Sequence, residues 1–435
     1  MTYWDLSVRS SLRPLKHCCQ VNPSVLPETT DPDWEFDYVD IGSVSLMEGV
    51  THKERMRFAA SPSRARKPVR ENDILVSTVR TYLKAIAAIE PADTPQVAST
   101  GFAVLRANKG IDARFLYRVV QSNPFVEQVV SQSTGVSYPA INPSKLSNIA
   151  VPLPDLATQC QIADFLDGET ARIDLLIEKK QRLVDAIKAK ISDFADLAVT
   201  EGLNAQSPMK STRLHWIDAV PSHWKIVRGK YLFQQMSRPT REDDEVITAF
   251  RDGQVCLRSK RRTEGYTFAE LEVGYQHIKK GDLVIHTMDA FAGAIGVSED
   301  DGKSTGEYAV CTPIGDDNPS YFAYLLQCMA KRDYILVLCP SVRERAPRFR
   351  FVRFAPVFLP VPPKEEQDAI VDAIERMRSA LRTVQTKTIT SIDRLKEYRS
   401  ALITAAVTGQ IDVSTYAKSG TPDRRLDAIQ EEMGA

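Results

Sequence analysis

The sequence predicts an α+β protein with two similar domains, each followed by a long helix. The prediction rests on a repeat. VPLPDLATQCQIADFLD at 151–167 and LPVPPKEEQDAIVDAIE at 359–375 share a proline-rich stop, followed by Gln and Ile at the same spacing. At an offset of 208 residues the correspondence runs without a gap to the Ala-Val-Thr triplets at 198–200 and 406–408. Because a repeat fixes the architecture, we expect the two helices to pair as an antiparallel coiled coil with pseudo-two-fold symmetry.

The length of 435 residues suits two or three domains. Boundaries placed at the repeats give two globular domains, two helices and a tail. We expect the first domain at 1–153, its helix at 154–202, the second domain at 203–360, its helix at 361–410, and the tail at 411–435.

Each globular segment contains short runs of β-forming residues that occur in both halves. Gly and Asp separate these runs, as is usual for turns between strands. Short helices are expected near 113–132 and 319–337, so each half is a mixed α+β domain with a curved sheet. The matching runs are DILVST at 73–78 and DLVIHT at 282–287, STGFAVL at 99–105 and STGEYAV at 304–310, and NIAVPLP at 148–154 and PVFLPVP at 356–362.

Both repeated segments are expected to be helical. In the first, Thr158-x-x-Gln161 fits a capping box, and Gly202 is a plausible helix stop, as Gly409 is in the second. The 43 residues from Thr158 to Thr200 would form a helix of about 65 Å. That length exceeds what a compact domain needs. It favours pairing between the two helices over the alternative that each packs only on its own domain.

Apolar residues in both helices recur in alternating steps of three and four, which is the pattern of a coiled-coil seam. Polar residues interrupt the pattern and can fix its register. The predicted seam comprises Ile162, Leu166, Ile173, Leu176, Leu183, Ile187, Phe194, Leu197, Ile370, Ile374, Met377, Leu381, Val384, Leu395, Tyr398 and Leu402.

The composition indicates a soluble, cytoplasmic protein without a membrane partner. No stretch approaches the roughly 18 apolar residues of a membrane span, and the seven cysteines are scattered, as is typical of reduced thiols. Lys plus Arg and Asp plus Glu both number 56. The neutral balance weakens the expectation of nucleic-acid binding but does not exclude it, because local patches decide.

Catalytic and metal-binding signatures are absent or incomplete. Asn318-Pro-Ser-Tyr321 resembles a methyltransferase motif but has Ser at its third position, and no glycine-rich turn for a methyl donor accompanies it. Gly302-Lys-Ser-Thr305 resembles a phosphate-binding loop, but position 297 is Val where that loop needs Gly. The six histidines have no metal-ligand spacing. We therefore expect neither catalysis nor a bound metal or cofactor.

Basic clusters in both halves are the positive signal. Residues 52–85 contain nine Lys or Arg and three acidic residues, for a net charge of +6. Further clusters lie at 258–262 and at 343–353, where arginines alternate with phenylalanines. Such clusters can be a solvated surface, but their presence in both halves of a repeat favours duplex DNA. The candidate DNA-binding residues are Arg64, Arg66, Lys67, Arg80, Ser133, Ser137, Tyr138, Arg258, Lys260, Arg261, Arg262, Arg343, Arg345, Arg348 and Arg350.

The candidates divide into two expected roles. Arg64, Arg66, Lys67 and residues 260–262 are expected to contact phosphates. At least one arginine in 343–350 is expected to read a base, most simply guanine, because arginine can donate two parallel hydrogen bonds to that base.

Taken together, the features resemble the specificity subunit of type I restriction–modification systems. The residues that carry the resemblance are GVSYPAINPSKLSNIAVPLPDLATQCQIADFLD at 135–167, APVFLPVPPKEEQDAIVDAIE at 355–375, and LHWIDAVPSHWKIVRG at 214–229. The resemblance covers nearly the whole chain. It departs from the family pattern at Thr158, where the second copy has Glu366, and in the first half, which lacks a PSHW-like entry.

The resemblance implies a subunit without enzymatic activity of its own. Each half would be a target recognition domain that reads one part of a split, asymmetric site in double-stranded DNA. The helices would act as a spacer and as the docking surface for two modification subunits, which bind S-adenosylmethionine, and restriction subunits would join that core. Two alternatives remain: a diverged DNA methyltransferase fused to its own reader, and a coiled-coil scaffold that does not bind DNA.

Overall fold

The fold is described from a computed structural model, for residues 12–135, 138–261, 274–339 and 348–431. The chain forms two compact units. The first contains the residues up to Leu183 together with those from Thr386 onward, and the second contains Val184–Gln385. Within the described segments, no helix is both long and apolar enough to cross a membrane.

The first unit begins with twelve strands and four short helices, followed by the first long helix. The strands are β1 (Leu12–Pro14), β2 (Cys19–Val21), β3 (Glu35–Val39), β4 (Val44–Ser45), β5 (Gly49–Val50), β6 (Glu54–Arg57), β7 (Ala65–Val69), β8 (Ile74–Ser77), β9 (Ile86–Ala88), β10 (Gln96–Ser99), β11 (Phe102–Ala107) and β12 (Ala150–Pro152). The helices are α1 (Leu15–Cys18), α2 (Ala113–Gln121), α3 (Asn123–Ser131), α4 (Pro143–Ser147) and α5 (Leu156–Glu201).

The second unit repeats this plan and ends in the second long helix, after which the tail adds two short helices to the first unit. The strands are β13 (Met209–Leu214), β14 (Ile217–Pro221), β15 (Lys225–Arg228), β16 (Phe233–Met236), β17 (Ile247–Ala249), β18 (Val255–Leu257), β19 (Gln276–Ile278), β20 (Leu283–His286), β21 (Ile295–Val297), β22 (Gly302–Ser304), β23 (Tyr308–Pro313) and β24 (Phe358–Val361). The helices are α6 (Gly229–Leu232), α7 (Pro319–Lys331), α8 (Tyr334–Leu338), α9 (Phe351–Phe354), α10 (Lys364–Val407), α11 (Val413–Lys418) and α12 (Thr421–Glu431).

Each unit contains a four-stranded antiparallel sheet, and the two sheets have corresponding strand orders. Its order is β2-β11-β8-β9 in the first unit and β16-β23-β20-β21 in the second. The strand that precedes each long helix, β12 or β24, pairs with the strand at the domain's entry, β1 or β15. The matching β runs and the short helices α2, α3, α7 and α8 confirm the α+β fold class predicted from the repeat.

The long helices each contribute to both units. The core of the first unit contains Ile162 of α5 and Leu402 of α10, and Arg399 of α10 donates two hydrogen bonds to the Asp174 carboxylate, at 2.8 and 3.1 Å. The core of the second unit contains the end of α5 and the start of α10. Each unit thus combines the beginning of one helix with the end of the other, as an antiparallel pair does.

The ends of the long helices differ in part from the prediction. Helix α5 is capped by Asp155, whose carboxylate accepts the backbone N–H and the hydroxyl of Thr158 at 3.0 and 2.7 Å. The expected capping box on Thr158 and Gln161 is therefore wrong, because the helix begins three residues earlier than the box requires. Gly202 and Gly409 follow the two helices with φ of +78° and +71°, which confirms them as helix stops.

The predicted seam is buried or half-buried at thirteen of its sixteen positions and exposed at three. Leu183, Leu197 and Val384 are 42–50% exposed, and their neighbours Val184 and Ala198 are buried instead. A straight helix drifts about 20° per heptad from a strict 3.5-residue repeat, so a seam extrapolated along its whole length leaves the contact line. The buried members are Ile162, Leu166, Ile173, Ile187, Ile370, Ile374, Leu395 and Leu402, and the half-buried ones are Leu176, Phe194, Met377, Leu381 and Tyr398.

A buried glutamine near the start of α5 joins three elements of the first domain. The Gln159 side chain is 2% exposed. Its Oε1 accepts the backbone N–H of Asp112 at 3.0 Å, and its Nε2 donates to the Pro154 carbonyl at 2.9 Å. Asp112 is the N-cap residue of α2. One amide therefore ties the long helix to the short helix and to the chain that leaves β12.

The second domain repeats this clamp 208 residues later. The Gln367 Oε1 accepts the backbone N–H of Asn318, the N-cap residue of α7, at 2.8 Å. Its Nε2 donates to the Pro362 carbonyl at 3.1 Å and to Asp317 at 2.7 Å. This shared geometry explains why the proline stop and the glutamine recur together in the sequence.

The residue after each glutamine completes the contact in a complementary way. Cys160 donates its thiol to the Asp112 carboxylate at 3.4 Å. At the equivalent place, Asp368 accepts the side-chain amide of Asn318 at 2.6 Å. The Cys160 thiol is a donor opposite the carboxylate of Asp112, and the Asp368 carboxylate is an acceptor opposite the side-chain amide of Asn318. Both N-cap side chains therefore have a matching hydrogen-bond partner.

About two turns further along the long helix, each domain helix contacts it again. Arg118 of α2 donates to Asp167 at 2.8 Å and to Thr170 at 3.0 Å. In the second unit, the Tyr324 hydroxyl of α7 donates to Glu375 of α10, which is the repeat equivalent of Asp167. Each domain is therefore held to its long helix at two points.

The tail packs on the first unit. Leu426 of α12 is fully buried, Tyr416 of α11 meets Phe165 edge-to-face at 6.1 Å between ring centroids, and Asp423 pairs with Arg172 at 2.5 Å. The residues after Gly409 are thus part of the fold of this unit.

Replacing Gln159 with alanine tests the clamp. The change leaves the Asp112 N–H without its acceptor, so we expect a loss of about 1–3 kcal/mol of local stability, measured by hydrogen exchange at the first turn of α2. Gln161→Ala is the matched control, because that side chain is exposed and should change stability by less than about 0.5 kcal/mol. Equal protection in the two variants would contradict the clamp.

Candidate nucleic-acid interface

The connection between β8 and β9 has an unusual backbone. Arg80 and Lys84, at its two ends, have φ of +50° and +52°, a conformation that costs a non-glycine residue of order 1–3 kcal/mol. Thr81–Leu83 form a 3₁₀ turn between them. Residues of this kind persist only where the surrounding structure fixes them, and they concentrate at functional sites.

Hydrogen bonds fix this connection to the segment that follows α3. The Arg80 N–H donates to the Pro139 carbonyl at 2.8 Å, and the Ile141 N–H donates to the Thr78 carbonyl at 2.9 Å. The hydroxyls of Thr81 and Ser133 lie 2.8 Å apart. The loop is therefore a rigid part of the domain surface.

The side chains of this loop point into solvent. Tyr82 and Leu83 are 52% and 50% exposed, and Tyr138 is 64% exposed. The Arg80 guanidinium lies over the Tyr138 ring, with its carbon 4.8 Å from the ring centroid. We call Arg80–Lys84 together with Tyr138 the Arg80 loop surface. It combines two cations with large exposed apolar groups, which suits contacts to phosphates and bases.

The second domain has a loop of the same length at the same place, with different chemistry. The position of Lys84 is occupied by Gly293, whose φ is +90°, and the position of Arg80 by Asp289. Asp289 pairs with Arg251 at 2.9 Å. A Cβ at Gly293 would lie 2.8 Å from the Arg251 carbonyl oxygen, so glycine is required here.

Of the phosphate candidates in the first domain, only the arginines are accessible. Arg64 is exposed, and Arg66 is half-buried, with its guanidinium 4.8 Å from the Phe58 ring centroid. Lys67 is 8% exposed. Its ammonium donates to Asn22 at 2.9 Å and to the Phe102 carbonyl, so the expectation that Lys67 contacts phosphate does not fit its position. A strand residue in a basic run is buried whenever its side of the strand faces the core.

Basic candidates in the second domain are paired with acids. Lys260 lies 2.6 Å from Asp300, a contact that lowers the pKa of Asp300 and raises the pKa of Lys260. Arg261 pairs with Asp252 at 2.9 Å. The local positive charge is therefore smaller than the sequence cluster suggested.

The remaining basic candidates differ in their surroundings. Arg258 is half-buried and donates to Thr248 at 3.1 Å. Arg348 pairs with Glu307 at 2.7 Å, and Arg350 is exposed. Four further candidates lie outside the described residues, namely Ser137, Arg262, Arg343 and Arg345.

Several sequence features have a structural role. Phe349 and Phe354 are fully buried core residues, so their alternation with arginines reflects packing. Asn318 caps α7, and Gly302–Ser304 form β22, which accounts for both incomplete motifs. In the described part of the chain, no group of three or more His, Cys, Asp or Glu residues could hold a metal ion.

A segment of the first domain is similar to a known protein family. Residues 62–184 match the family model described as the type I restriction modification DNA specificity domain. This segment therefore resembles that domain. The match contains the whole Arg80 loop surface and the clamp at Gln159, and it confirms the resemblance predicted from the repeat.

Two curated proteins that are similar to this chain are named type I restriction enzyme specificity subunits. The HindI subunit of Haemophilus influenzae is 24% identical over 202 residues, which are 41% of this chain and 44% of that subunit. The EcoBI subunit of Escherichia coli is 19% identical over 333 residues, which are 70% of this chain and 67% of that subunit. The match to the HindI subunit thus spans less than half of its length.

A solved structure has a similar fold over most of this chain. A chain from a structure on complex assembly and conformational transition of the type I R-M system is 22% identical, with a TM-score of 0.58. The alignment covers 92% of this chain and 98% of that chain. At this identity the likeness concerns the fold alone.

Sequence reasoning missed three residues of the Arg80 loop surface. Tyr82, Leu83 and Lys84 follow a buried strand in the run RTYLK, and only Lys84 entered the count of basic residues. The sequence did contain a signal for this loop, because two large apolar residues, Tyr82 and Leu83, lie between Arg80 and Lys84. A count of charged residues does not register such apolar residues.

The pH dependence of stability tests the burial of Lys67. Burial lowers the pKa of Lys67 from 10.5 to about 8, so between these pH values the unfolded chain holds this proton and the folded chain does not. The free energy of unfolding should therefore gain a contribution that rises from pH 8 to pH 10.5. Lys67→Met lacks the titrating group. In urea denaturation, the free energy of unfolding of wild type should rise relative to that of the variant between pH 8 and pH 10.5. A difference that does not change with pH would contradict it.

Proposed function

We propose that this chain is the DNA sequence-specificity subunit of a type I restriction–modification complex. In this role it binds double-stranded DNA in the cytoplasm through two target recognition domains. The proposal rests on a single observation. It concerns the loop between the third and fourth strands of the four-stranded sheet that occurs in each domain. One fold presents Arg-Thr-Tyr-Leu-Lys in the first domain and Asp-Ala-Phe-Ala-Gly in the second. A shared scaffold with opposite charge at one surface position suits two domains that read different sequences.

The proposed DNA site is split and asymmetric. Each domain has its own sheet and its own clamp to a long helix, so each can read a short sequence independently. Two unlike loops imply two unlike half-sites. The stretch between them would remain unread, and its length would depend on the helices.

The proposed partners are two methyltransferase subunits, and through them restriction subunits. The long helices carry large apolar side chains that are 42–50% exposed, which suits docking of other chains. S-adenosylmethionine would bind to the methyltransferase subunits, and this chain would supply recognition without catalysis. The exposed large apolar residues on the two long helices are Leu156, Leu175, Leu183, Leu197, Val384 and Ile389.

Methylation mapping of cells with and without this gene tests the proposal. We expect one modified site to disappear with the gene, and that site should consist of two unlike short sequences with an unread gap. If no site disappears and the chain ignores duplex DNA at low salt with its partners present, a scaffold is favoured. If the isolated chain binds S-adenosylmethionine, a diverged methyltransferase is favoured.

The same mapping tests the helices as a spacer. Inserting four residues within 176–190 lengthens α5 by about 6 Å, and a four-residue stutter nearly preserves the seam. The gap should grow by one or two base pairs, at about 3.4 Å each, while both half-sites stay the same. An insertion that changed the bases read and left the gap unaltered would contradict a spacer role.

A further inference from the structure

The Arg80 guanidinium is exposed, as are those of Arg64 and Arg350, whereas several other described basic candidates are paired or buried. Arg80 is further distinguished by its contact with the Tyr138 ring and by the positive φ of its backbone. Lys260, Arg261 and Arg348 each lie within 3 Å of a carboxylate, and Lys67 is buried. Arg80 is exposed, and among the described residues no carboxylate lies within ion-pair distance of it. Its donors therefore remain free for a ligand.

The Tyr138 ring holds this guanidinium in place. A cation over an aromatic face is attracted by the ring's quadrupole. The contact restricts the rotamers of a long side chain, so less entropy is lost when the guanidinium binds. The guanidinium carbon lies 4.8 Å from the ring centroid, so a planar acceptor could still reach the N–H groups of this exposed side chain.

The backbone points to a role for the side chains themselves. The second domain closes the same connection with Gly293, which adopts a positive φ at no steric cost. The first domain keeps Arg80 and Lys84 in that conformation and ties Arg80 to Pro139. Closing the loop does not require these residues, so the strain is better explained by what their side chains bind.

From these observations we infer that Arg80 is a specificity-determining residue that reads a guanine in the half-site of the first domain. The guanidinium would donate two hydrogen bonds to O6 and N7 in the major groove. Tyr138 is its positioning residue, because its ring orients the guanidinium. The inference rests on the proposed function. It places an arginine–guanine contact in the first domain, whereas the sequence had suggested such a contact for arginines of the second domain.

The test uses the full chain in complex with its methyltransferase subunits and the duplex identified by methylation mapping. Binding is measured to that duplex and to duplexes in which each G·C pair of either half-site is replaced by A·T. Arg80→Lys keeps the positive charge but removes the planar guanidinium, which can donate two parallel hydrogen bonds. It should lose roughly 5- to 150-fold of preference at one G·C pair, the range for a bidentate arginine–guanine contact, and keep its preference at every other pair.

Companion variants separate reading from folding. Arg80→Gly accepts the positive φ and should show the same loss at the same pair, while its thermal unfolding matches wild type. Tyr138→Phe retains the ring and should retain the preference, whereas Tyr138→Ala should lose part of it at that pair alone. Arg64→Ala removes an exposed arginine outside the loop and should affect all duplexes equally.

Two results would contradict the inference about Arg80 without contradicting the proposed function. One is full preference at every pair in Arg80→Lys, and the other is an equal loss at all pairs, which would make Arg80 a phosphate contact. A wild-type complex that shows no preference among the duplexes would instead overturn the proposed function, and the inference with it.

Discussion

A buried glutamine at the start of each long helix is the contact on which the architecture depends. Gln159 and Gln367 each satisfy the backbone at the cap of a domain helix and the carbonyl of a proline that ends a strand. A long helix, a short helix and a sheet edge thus meet at one amide. Because the amide is buried, any other side chain would leave a polar group unpaired. This requirement gives a physical reason for a repeat that survives in two domains whose surfaces differ.

The repeat made the fold predictable, and its limits appear at particular residues. The offset of 208 located both long helices, and similar runs of β-forming residues at nearby offsets located the matching strands. The cap was misplaced because Asp155 and Thr158 are both good cap residues, and only the backbone decides between them. The seam failed at Leu183, Leu197 and Val384 because a heptad count assumes a constant repeat, whereas the helices do not keep one along their whole length.

The candidate interface was less predictable, because charge in a sequence does not show accessibility. Lys67 belongs to the basic run of the first domain yet lies in the core, and Lys260 is neutralised by Asp300, forty residues away. Arg80 was one candidate among fifteen. Its distinction comes from a positive φ and a ring contributed by Tyr138, 58 positions later in the sequence. Neither property has a signature in the sequence.

The most direct test of this account is the base preference of the assembled complex when each clamp is removed in turn. Duplexes carrying every single-base change of the natural site would be compared for wild type, Gln159→Ala and Gln367→Ala. If each glutamine fixes one recognition domain on its helix, each variant should lose preference within one half-site and keep it within the other, and the two variants should affect different half-sites. Equal losses in both half-sites from either variant, or unchanged preference in both variants, would contradict it.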